Sequence, residues 1–249
     1  MREALSRRAV LPAAAACLLL AQPARELAAA APPPRPFLVT GSSSGIGRAA
    51  TLLLSAEERF VLCAARTAEA AQGVTAAQGD ASLGGYGLAL GAGLDLADLT
   101  SVSAYVERLY QELPQGVEGA LLCAGVEALP LRRTPQGFEA TFAVNVLSHF
   151  VLAAELAARA GRPASSGTGG LPWASSSGGG ELGEPAKVGR PCRLVSVTSS
   201  AAFDSRLGEG DALDLNCLRR AYDPRRAYVD SKACNVLLKQ CAMCSAMSY

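Results

Sequence analysis

The sequence predicts an α/β protein built on a doubly wound parallel sheet. An apolar run at residues 37–39 enters a glycine-rich turn at 40–47, and residues 46–54 have the pattern of a helix start. A strand, a tight turn and a helix in this order form the first unit of such sheets. With 249 residues the chain is long enough to bury one full core of this kind.

The glycine-rich turn has the spacing G-x-x-x-G-x-G, with glycines at Gly41, Gly45 and Gly47. Glycines allow the backbone to approach a phosphate closely, and a helix N-terminus offers unpaired N–H groups and the positive end of its dipole. The turn therefore predicts a site for the pyrophosphate of a dinucleotide. The alternative is a flexible Ser/Gly linker, which the flanking strand and helix disfavour. The predicted contacts are Gly41, Ser43, Ser44, Gly45, Ile46 and Gly47.

A second pattern lies far along the chain, where Tyr228 and Lys232 are four residues apart. On a helix these positions share one face, so a phenol and an ammonium can reach the same cleft. A fixed cation beside a phenol favours the phenolate and brings proton transfer into a useful pH range. Alone, a Y-x-x-x-K pair most often marks an ordinary helix surface. Together with the glycine turn, it predicts nucleotide-dependent carbonyl chemistry.

These motifs resemble the short-chain dehydrogenase/reductase family, and the resemblance runs from about Pro36 to Gln240. It implies a Rossmann-like sheet. The run 137–139 and Tyr222-Asp223-Pro224 look most like the retinol-dehydrogenase branch, while residues 230–235 also resemble light-dependent protochlorophyllide reductases. The other landmarks are a second strand at 60–66, a third at 93–96, Leu122-Cys123-Ala124-Gly125 in place of Asn-Asn-Ala-Gly, a helix within 137–150 and a fifth strand at 193–199.

The resemblance implies a catalytic tetrad of Asn145, Ser199, Tyr228 and Lys232. Tyr228 would donate a proton to the substrate carbonyl oxygen as hydride arrives from the nicotinamide. Lys232 would hold the nicotinamide ribose and stabilise the phenolate. Ser199 would orient the carbonyl, and is chosen over Ser200 because it lies two residues after a strand valine. Asn145 would hold a water that links the lysine to solvent.

NADP is the predicted cofactor. NAD sites usually place a carboxylate after the second strand, against the ribose 2′-hydroxyl. Here Arg66 stands at that place, and a guanidinium suits a 2′-phosphate. The resemblance adds Asp95 and Leu96 beside the adenine, and Ala124 and Gly125 beside the nucleotide.

Composition excludes several other functions. The net charge is only +1 and there is no basic stripe, so nucleic acid is not an expected partner. The eight cysteines are scattered and are expected to be reduced. Cys241 and Cys244 have metal-ligand spacing but lack a second pair, so no metal is predicted. His149, the single histidine, is expected to pack on its own helix.

The first 35 residues are predicted to be a targeting segment or membrane anchor. Arg2, Arg7 and Arg8 precede an apolar run at 10–21, which alanines and prolines follow. The twin arginines also resemble an export signal. The reduced cysteines favour a plastid, with the secretory pathway and membrane association as alternatives.

The catalytic domain is predicted to occupy 36–249, with a disordered Gly/Ser/Pro-rich insertion at 161–189. The family continues beyond its Tyr–Lys helix with further strands and a substrate lid, so the resemblance implies a truncated sheet that lacks the last strands. Four hypotheses follow: an NADP-dependent oxidoreductase for a small lipophilic carbonyl or alcohol, a protochlorophyllide-type reductase, an inactive nucleotide- or partner-binding module, and a non-functional fragment. A homo-oligomer is left open.

Overall fold

The computed structural model describes residues 35–71, 91–160, 192–207 and 214–246. The described residues belong to one compact unit that begins at Arg35. The predicted targeting segment, up to residue 34, and the predicted insertion at 161–189 lie outside the described residues.

Four parallel strands form the sheet, in the spatial order β2-β1-β3-β4. Thr40 lies opposite Ala64 on one side and Leu122 on the other, and Leu122 lies opposite Ser196. The carboxyl ends of all four strands therefore meet at one edge, where ligands of parallel α/β sheets bind. The strands are β1 (Phe37–Thr40), β2 (Val61–Ala64), β3 (Gly119–Leu122) and β4 (Arg193–Ser196).

Helices connect the strands, which confirms the predicted α/β, Rossmann-like class. The helical run α3 includes a π-helical turn at Ala143–Leu147, and a 3₁₀ turn at Ser200–Asp204 follows β4. The helices are α1 (Gly45–Ala56), α2 (Leu99–Glu112), α3 (Ala140–Ala160) and α4 (Pro224–Ala246).

The core lies between the sheet and helices α2 and α3. Every residue of β2 is buried, as expected of a strand covered on both faces. Tyr105 is the largest fully buried side chain, and burial raises its pKa well above the ordinary range. Burial of apolar area contributes about 25 cal/mol per Å², so this cluster makes a major favourable contribution to folding. Its most buried members are Leu38, Leu62, Val102, Val106, Leu109, Val117, Leu152 and Leu156.

The prediction of a strand at 93–96 is wrong. The segment runs beside the end of β2, where Ala65 N–H donates to the Gly91 carbonyl at 2.8 Å and Leu94 N–H to the Ala65 carbonyl at 3.0 Å. Gly93, however, has a φ of +87°, which interrupts the extended backbone. Asp95 then turns the chain, because its carboxylate accepts the N–H of Ala97 at 2.9 Å.

Helix α3 is capped by a buried carboxylate. Glu139 is fully buried and accepts the N–H groups of Thr141 at 2.9 Å and Phe142 at 2.7 Å. These bonds satisfy two amides that the first helical turn leaves unpaired. The Tyr222 hydroxyl lies 3.3 Å from the same carboxylate and also donates to the Leu129 carbonyl at 2.8 Å. The cap thus ties the start of α3 to the segment that leads into α4.

By length and composition alone α3 could cross a membrane, since its mean hydropathy is 1.5. Half of that stretch is buried inside the domain, however, and it carries the buried polar residues Asn145, Ser148 and Glu155. Polar side chains are costly to bury in lipid. Here they have hydrogen-bond partners within the domain; Glu155, for example, accepts the Ser103 hydroxyl at 2.7 Å. The burial identifies α3 as a core helix.

Candidate active site

The glycine turn lies at the carboxyl edge of the sheet, between β1 and α1. Gly41 has a φ of +68°, and a Cβ there would lie 2.8 Å from the Ala124 Cα, closer than real contacts allow. A Cβ on Gly47 would collide with the Gly41 carbonyl. The glycines are therefore required by the packing of the turn on itself and on the end of β3.

The turn is electrostatically suited to an anion. The side chain of Ser44, the N-cap of α1, makes no capping hydrogen bond, and the first turn of α1 holds no acidic residue. The first amides of α1 are therefore available to a phosphate. The buried Ser42 hydroxyl has no hydrogen-bond partner within the described ranges. Ser43, Ser44, Gly45 and Ile46 are exposed around it. These features fit the pyrophosphate of a dinucleotide.

The predicted cofactor residues after β2 lie at the same edge. Arg66 is exposed, and its carbonyl accepts the N–H of Gly93 at 3.3 Å, so its backbone is held while its side chain faces solvent. Asp95 is half-buried in its turn, and the Leu96 carbonyl accepts the Ser148 hydroxyl at 2.6 Å. The fold therefore leaves the Arg66 side chain exposed at the carboxyl edge of the sheet.

Tyr228 and Lys232 share one face of α4, as their spacing predicts. The Lys232 Nζ lies 5.5 Å from the centre of the Tyr228 ring, within cation–π range. Lys232 is only 5% exposed, and burial lowers the pKa of its ammonium, an effect that nearby Cys123 and Glu127 oppose. A Cβ on Gly125 would lie 3.3 Å from the Nζ, so glycine there leaves room for the ammonium.

Asn145 lies in the π-helical turn of α3 and joins three parts of the site. Its side-chain amide donates to the Val126 carbonyl and to the Ser231 hydroxyl, both at 3.0 Å, and its Oδ1 accepts the Val126 N–H at 2.8 Å. The Ser231 hydroxyl in turn donates to the Tyr228 carbonyl at 2.6 Å. The predicted role for Asn145 was a water ligand; in this arrangement its side chain holds α4 and the loop after β3 together.

Ser199 follows β4 and caps the 3₁₀ turn. Its hydroxyl oxygen accepts the N–H of Ala201 at 3.2 Å, which leaves the hydroxyl hydrogen available to a carbonyl oxygen. The preceding Thr198 donates its hydroxyl to the Lys232 carbonyl at 2.8 Å. Ser199 is half-buried and Ser200 is exposed. The fold thus brings the segments after β3 and β4, the π-helical turn and α4 to one place. Asn145 is joined to α4 through Ser231, and the residue before Ser199 is joined to α4 at the Lys232 carbonyl.

Two polar residues that the sequence reasoning did not assign lie beneath this site. Thr40, at the end of β1, accepts the N–H groups of Cys123 at 2.9 Å and Ala124 at 3.1 Å, and its hydroxyl lies 3.0 Å from His149 Nε2. His149 Nδ1 lies 3.3 Å from the Asn145 carbonyl. His149 therefore contacts its own helix, as expected, and also contacts β1, which was not predicted. It connects β1 to the helix that carries Asn145.

The partners of His149 define its tautomer. A carbonyl can only accept, so Nδ1 carries the hydrogen and Nε2 accepts the proton of the Thr40 hydroxyl. Burial lowers the His149 pKa to about 4; the bond to the Asn145 carbonyl opposes that shift and Lys232 adds to it. The ring is neutral at physiological pH. The ring accepts a hydrogen bond from the Thr40 hydroxyl and donates one to the Asn145 carbonyl.

The buried neutral histidine predicts a loss of stability in acid. Unfolded histidine titrates near about 6.5, so between this value and the folded pKa of about 4 the unfolded state binds more protons. Titration of His149 leaves the free energy of unfolding unchanged above about pH 6.5 and lowers it by about 3 kcal/mol as the pH falls to 4.

Chemical denaturation across this range should therefore show a steeper pH dependence for the wild type than for His149→Gln. The carboxylates titrate in both proteins, so the difference between the two curves isolates the histidine. Parallel curves would show that the ring is not held neutral by burial.

Comparison with known proteins agrees with this geometry. Residues 36–169, more than half of the chain, match the family model for short chain dehydrogenases. Retinol dehydrogenase 14 of Mus musculus is 34% identical over 208 residues, and a protein of Streptomyces antibioticus named "Probable oxidoreductase" is 33% identical over 204 residues. A solved short-chain dehydrogenase of Sphingobium yanoikuyae in complex with NADPH shares the fold with a TM-score of 0.52, at 20% identity.

These matches cover most of this chain but a smaller share of the other proteins. The match to the mouse protein covers 80% of this chain and 53% of that protein. The match to the Streptomyces protein covers 82% of this chain and 57% of that protein, and the solved structure is matched over 83% of this chain and 63% of its own. The chain therefore spans little more than half the length of these relatives. It belongs to the short-chain dehydrogenase family, in its retinol-dehydrogenase-like branch.

Proposed function

We propose that the protein is an NADP-dependent oxidoreductase that transfers hydride between the nicotinamide and a lipophilic carbonyl or alcohol. The observation that carries the proposal is the buried Lys232 ammonium, 5.5 Å from the centre of the Tyr228 ring and beside the Asn145 side chain. A phenol next to a fixed cation is a competent proton donor and acceptor. Bound NADPH would supply the hydride.

In this proposal each tetrad residue acts on a stated atom. Tyr228 gives its hydroxyl proton to the substrate oxygen, and Ser199 donates a second hydrogen bond to that oxygen and orients it. Lys232 stabilises the phenolate left on Tyr228 and holds the nicotinamide ribose. Asn145 holds α4 in register through Ser231, whose hydroxyl accepts from its amide at 3.0 Å.

The cofactor would lie along the carboxyl edge of the sheet. The turn at Gly41 and Gly47 and the open amides of α1 fit the pyrophosphate. The exposed Arg66 fits a 2′-phosphate. Asp95 and Leu96 would lie on the adenine side, and Ala124 and Gly125 would line the nucleotide near Lys232.

Two observations support a lipophilic substrate. The mouse relative is named a retinol dehydrogenase, which points to a long apolar alcohol. In this chain Phe203 lies in the 3₁₀ turn that starts at Ser199 and is 91% exposed. An exposed apolar ring in the turn that Ser199 caps favours an apolar ligand.

The proposal is tested by NADPH oxidation with retinal, with a short water-soluble aldehyde as comparison. We expect retinal-dependent turnover and a higher kcat/KM for retinal than for the short aldehyde. Turnover of the short aldehyde alone would contradict the lipophilic substrate. Saturable NADPH binding without turnover of either would favour a nucleotide-binding module that is not an enzyme.

The choice of NADP makes a separate prediction. Arg66→Ala should weaken NADPH binding by about 1.5 to 3 kcal/mol, roughly 10- to 100-fold, because it removes charged hydrogen bonds to the 2′-phosphate. NADH, which lacks that phosphate, should bind almost unchanged. Titration of both nucleotides by fluorescence measures the difference.

Arg59→Ala is the matched control, because Arg59 lies just before β2, at the opposite end of that strand, and pairs with Glu118 at 3.4 Å on the surface. It should bind both nucleotides like the wild type. An equal loss of NADH affinity in Arg66→Ala would make Arg66 a structural residue.

A further inference from the structure

A buried carboxylate lies between the two predicted catalytic residues of α4. Asp230 is 1% exposed. Its Oδ1 accepts the Ser205 hydroxyl at 2.8 Å, and its Oδ2 lies 3.1 Å from the Arg220 Nη2 and 3.6 Å from the Arg226 Nε. It is two positions along the chain from Tyr228 and two from Lys232, and on a helix that offset rotates it about 200° away from their face. Asp230 therefore does not face the reacting atoms.

The partner of Asp230 lies at the far end of the turn that carries Ser199. Ser199 is the N-cap of the 3₁₀ turn Ser200–Asp204, and Ser205 follows that turn directly. At its near end, Thr198 donates to the Lys232 carbonyl at 2.8 Å. The turn is therefore fastened to α4 at both ends, by Thr198 and by Ser205.

The hydrogen bond from Ser205 to Asp230 is supported by an ion pair between Asp230 and Arg220. Arg220 is itself nearly buried, and its Nε donates to the Asp214 carbonyl at 3.1 Å, so its guanidinium has a fixed position. A buried carboxylate with a fixed cation keeps its geometry, because separating the two would leave charges unpaired in a low-dielectric interior. The Ser205 hydroxyl thus meets a rigid acceptor.

A second ion pair joins the same turn to the same helix on the surface. Asp204 and Arg225 are 3.6 Å apart, with side chains 62% and 82% exposed. Exposed pairs of this kind contribute little. The Ser205–Asp230 contact and the Asp204–Arg225 pair both join the 3₁₀ turn to α4, but only the first is buried. Comparing variants of the two therefore isolates the effect of the buried contact.

We propose that Asp230 is a positioning residue for the reaction: it fastens the Ser199 turn to α4 and so sets the Ser199 hydroxyl relative to Tyr228. The role rests on the proposed function, because it acts through Ser199. Misplacement of a reacting group by about 1 Å can cost about 100-fold in rate. The loss of this fastening should therefore be seen in kcat and not in cofactor binding.

The test compares Asp230→Asn with Asp204→Asn, each alone and combined with Ser199→Ala, in NADPH-dependent reduction of retinal. Asp230→Asn keeps the side-chain shape but loses the charge that pairs with Arg220. It should lower kcat about 10- to 100-fold and change the NADPH dissociation constant less than about 2-fold. Asp204→Asn should leave both unchanged. In the Ser199→Ala background, Asp230→Asn should cost almost nothing further, because the group it positions is gone.

Hydrogen exchange provides a readout without turnover. The amides of Ser199–Ser205 should exchange faster in Asp230→Asn and remain unchanged in Asp204→Asn. If Asp230→Asn does not fold, Ser205→Ala replaces it, since it removes only the hydroxyl that the carboxylate holds, and the same non-additivity with Ser199→Ala is expected.

Several results separate failure of this inference from failure of the proposed function. An equal loss of kcat in both backgrounds, or unchanged exchange of the turn, would overturn the positioning role while the reductase assignment stands. Absence of NADPH-dependent reduction by the wild type would overturn the proposed function, and the exchange measurement would still decide whether Asp230 holds the turn.

Discussion

Tyr228→Phe should lower kcat by about 100- to 10,000-fold, because it removes the hydroxyl that we propose as the proton donor to the substrate oxygen. The ring itself is retained, and so is its contact with the Lys232 ammonium, which lies 5.5 Å from the ring centre. NADPH affinity and the denaturation midpoint should therefore change little. The comparison requires single-turnover oxidation of NADPH by retinal and a fluorescence titration of NADPH.

Tyr222→Phe is the control for this substitution. Tyr222 precedes α4, and its hydroxyl donates to the Leu129 carbonyl at 2.8 Å, so its loss should lower stability and leave the chemical step intact. Turnover of Tyr228→Phe within a few fold of the wild type would end the assignment of Tyr228 as proton donor.

Lys232→Met should lower kcat by a similar factor, about 100- to 10,000-fold, because the phenolate of Tyr228 loses its stabilising cation. It differs from Tyr228→Phe in one respect. The lysine also holds the nicotinamide ribose in the proposed mechanism, so NADPH binding should weaken by about 10-fold as a charged hydrogen bond is lost. Stability should not fall, because burial already disfavours the ammonium and lowers its pKa.

Arg225→Met, in the same helix and with a side chain that is 82% exposed, controls for the loss of a positive charge and should behave like the wild type. If Lys232→Met binds NADPH normally and loses only turnover, the lysine acts on Tyr228 alone and not on the ribose. Normal turnover would remove it from the mechanism.

The elements that the sequence predicted well are those with local signals. The apolar run before Gly41 and the helix predicted at 46–54 appear as β1 and α1, because a glycine turn can be recognised from a few consecutive residues. The pair Tyr228 and Lys232 shares a helical face, because four residues are close to one turn. Local pattern was sufficient in both cases.

The strand expected at 93–96 shows where local pattern misled. Leu94 and Leu96 are both buried, as in a strand, but the positive φ of Gly93 and the Asp95 turn interrupt the extended chain. The leucines are buried because the segment packs beside β2. Apolar spacing reports burial, and in a run this short it does not report backbone conformation.

The residues that support the site could not be found from spacing. Thr40 and His149 are 109 positions apart, and Ser205 and Asp230 are 25 apart. Each pair is brought together by the order of the strands and the packing of the helices. Two sequence signals were present: a threonine that ends a buried strand, and an aspartate between the Tyr and Lys of one motif. The role of each residue can be inferred only once the structure shows which residue it contacts.

The central claim is that hydride passes directly between the nicotinamide and a lipophilic carbonyl. The most direct measurement is reduction of retinal with NADPH carrying deuterium at one or the other position of the nicotinamide C4, followed by mass spectrometry of the alcohol. We expect one of the two labelled cofactors to give an alcohol with deuterium on its carbinol carbon, and the other to give unlabelled alcohol. Unlabelled alcohol from both cofactors, or no alcohol although NADPH is bound, would contradict the claim.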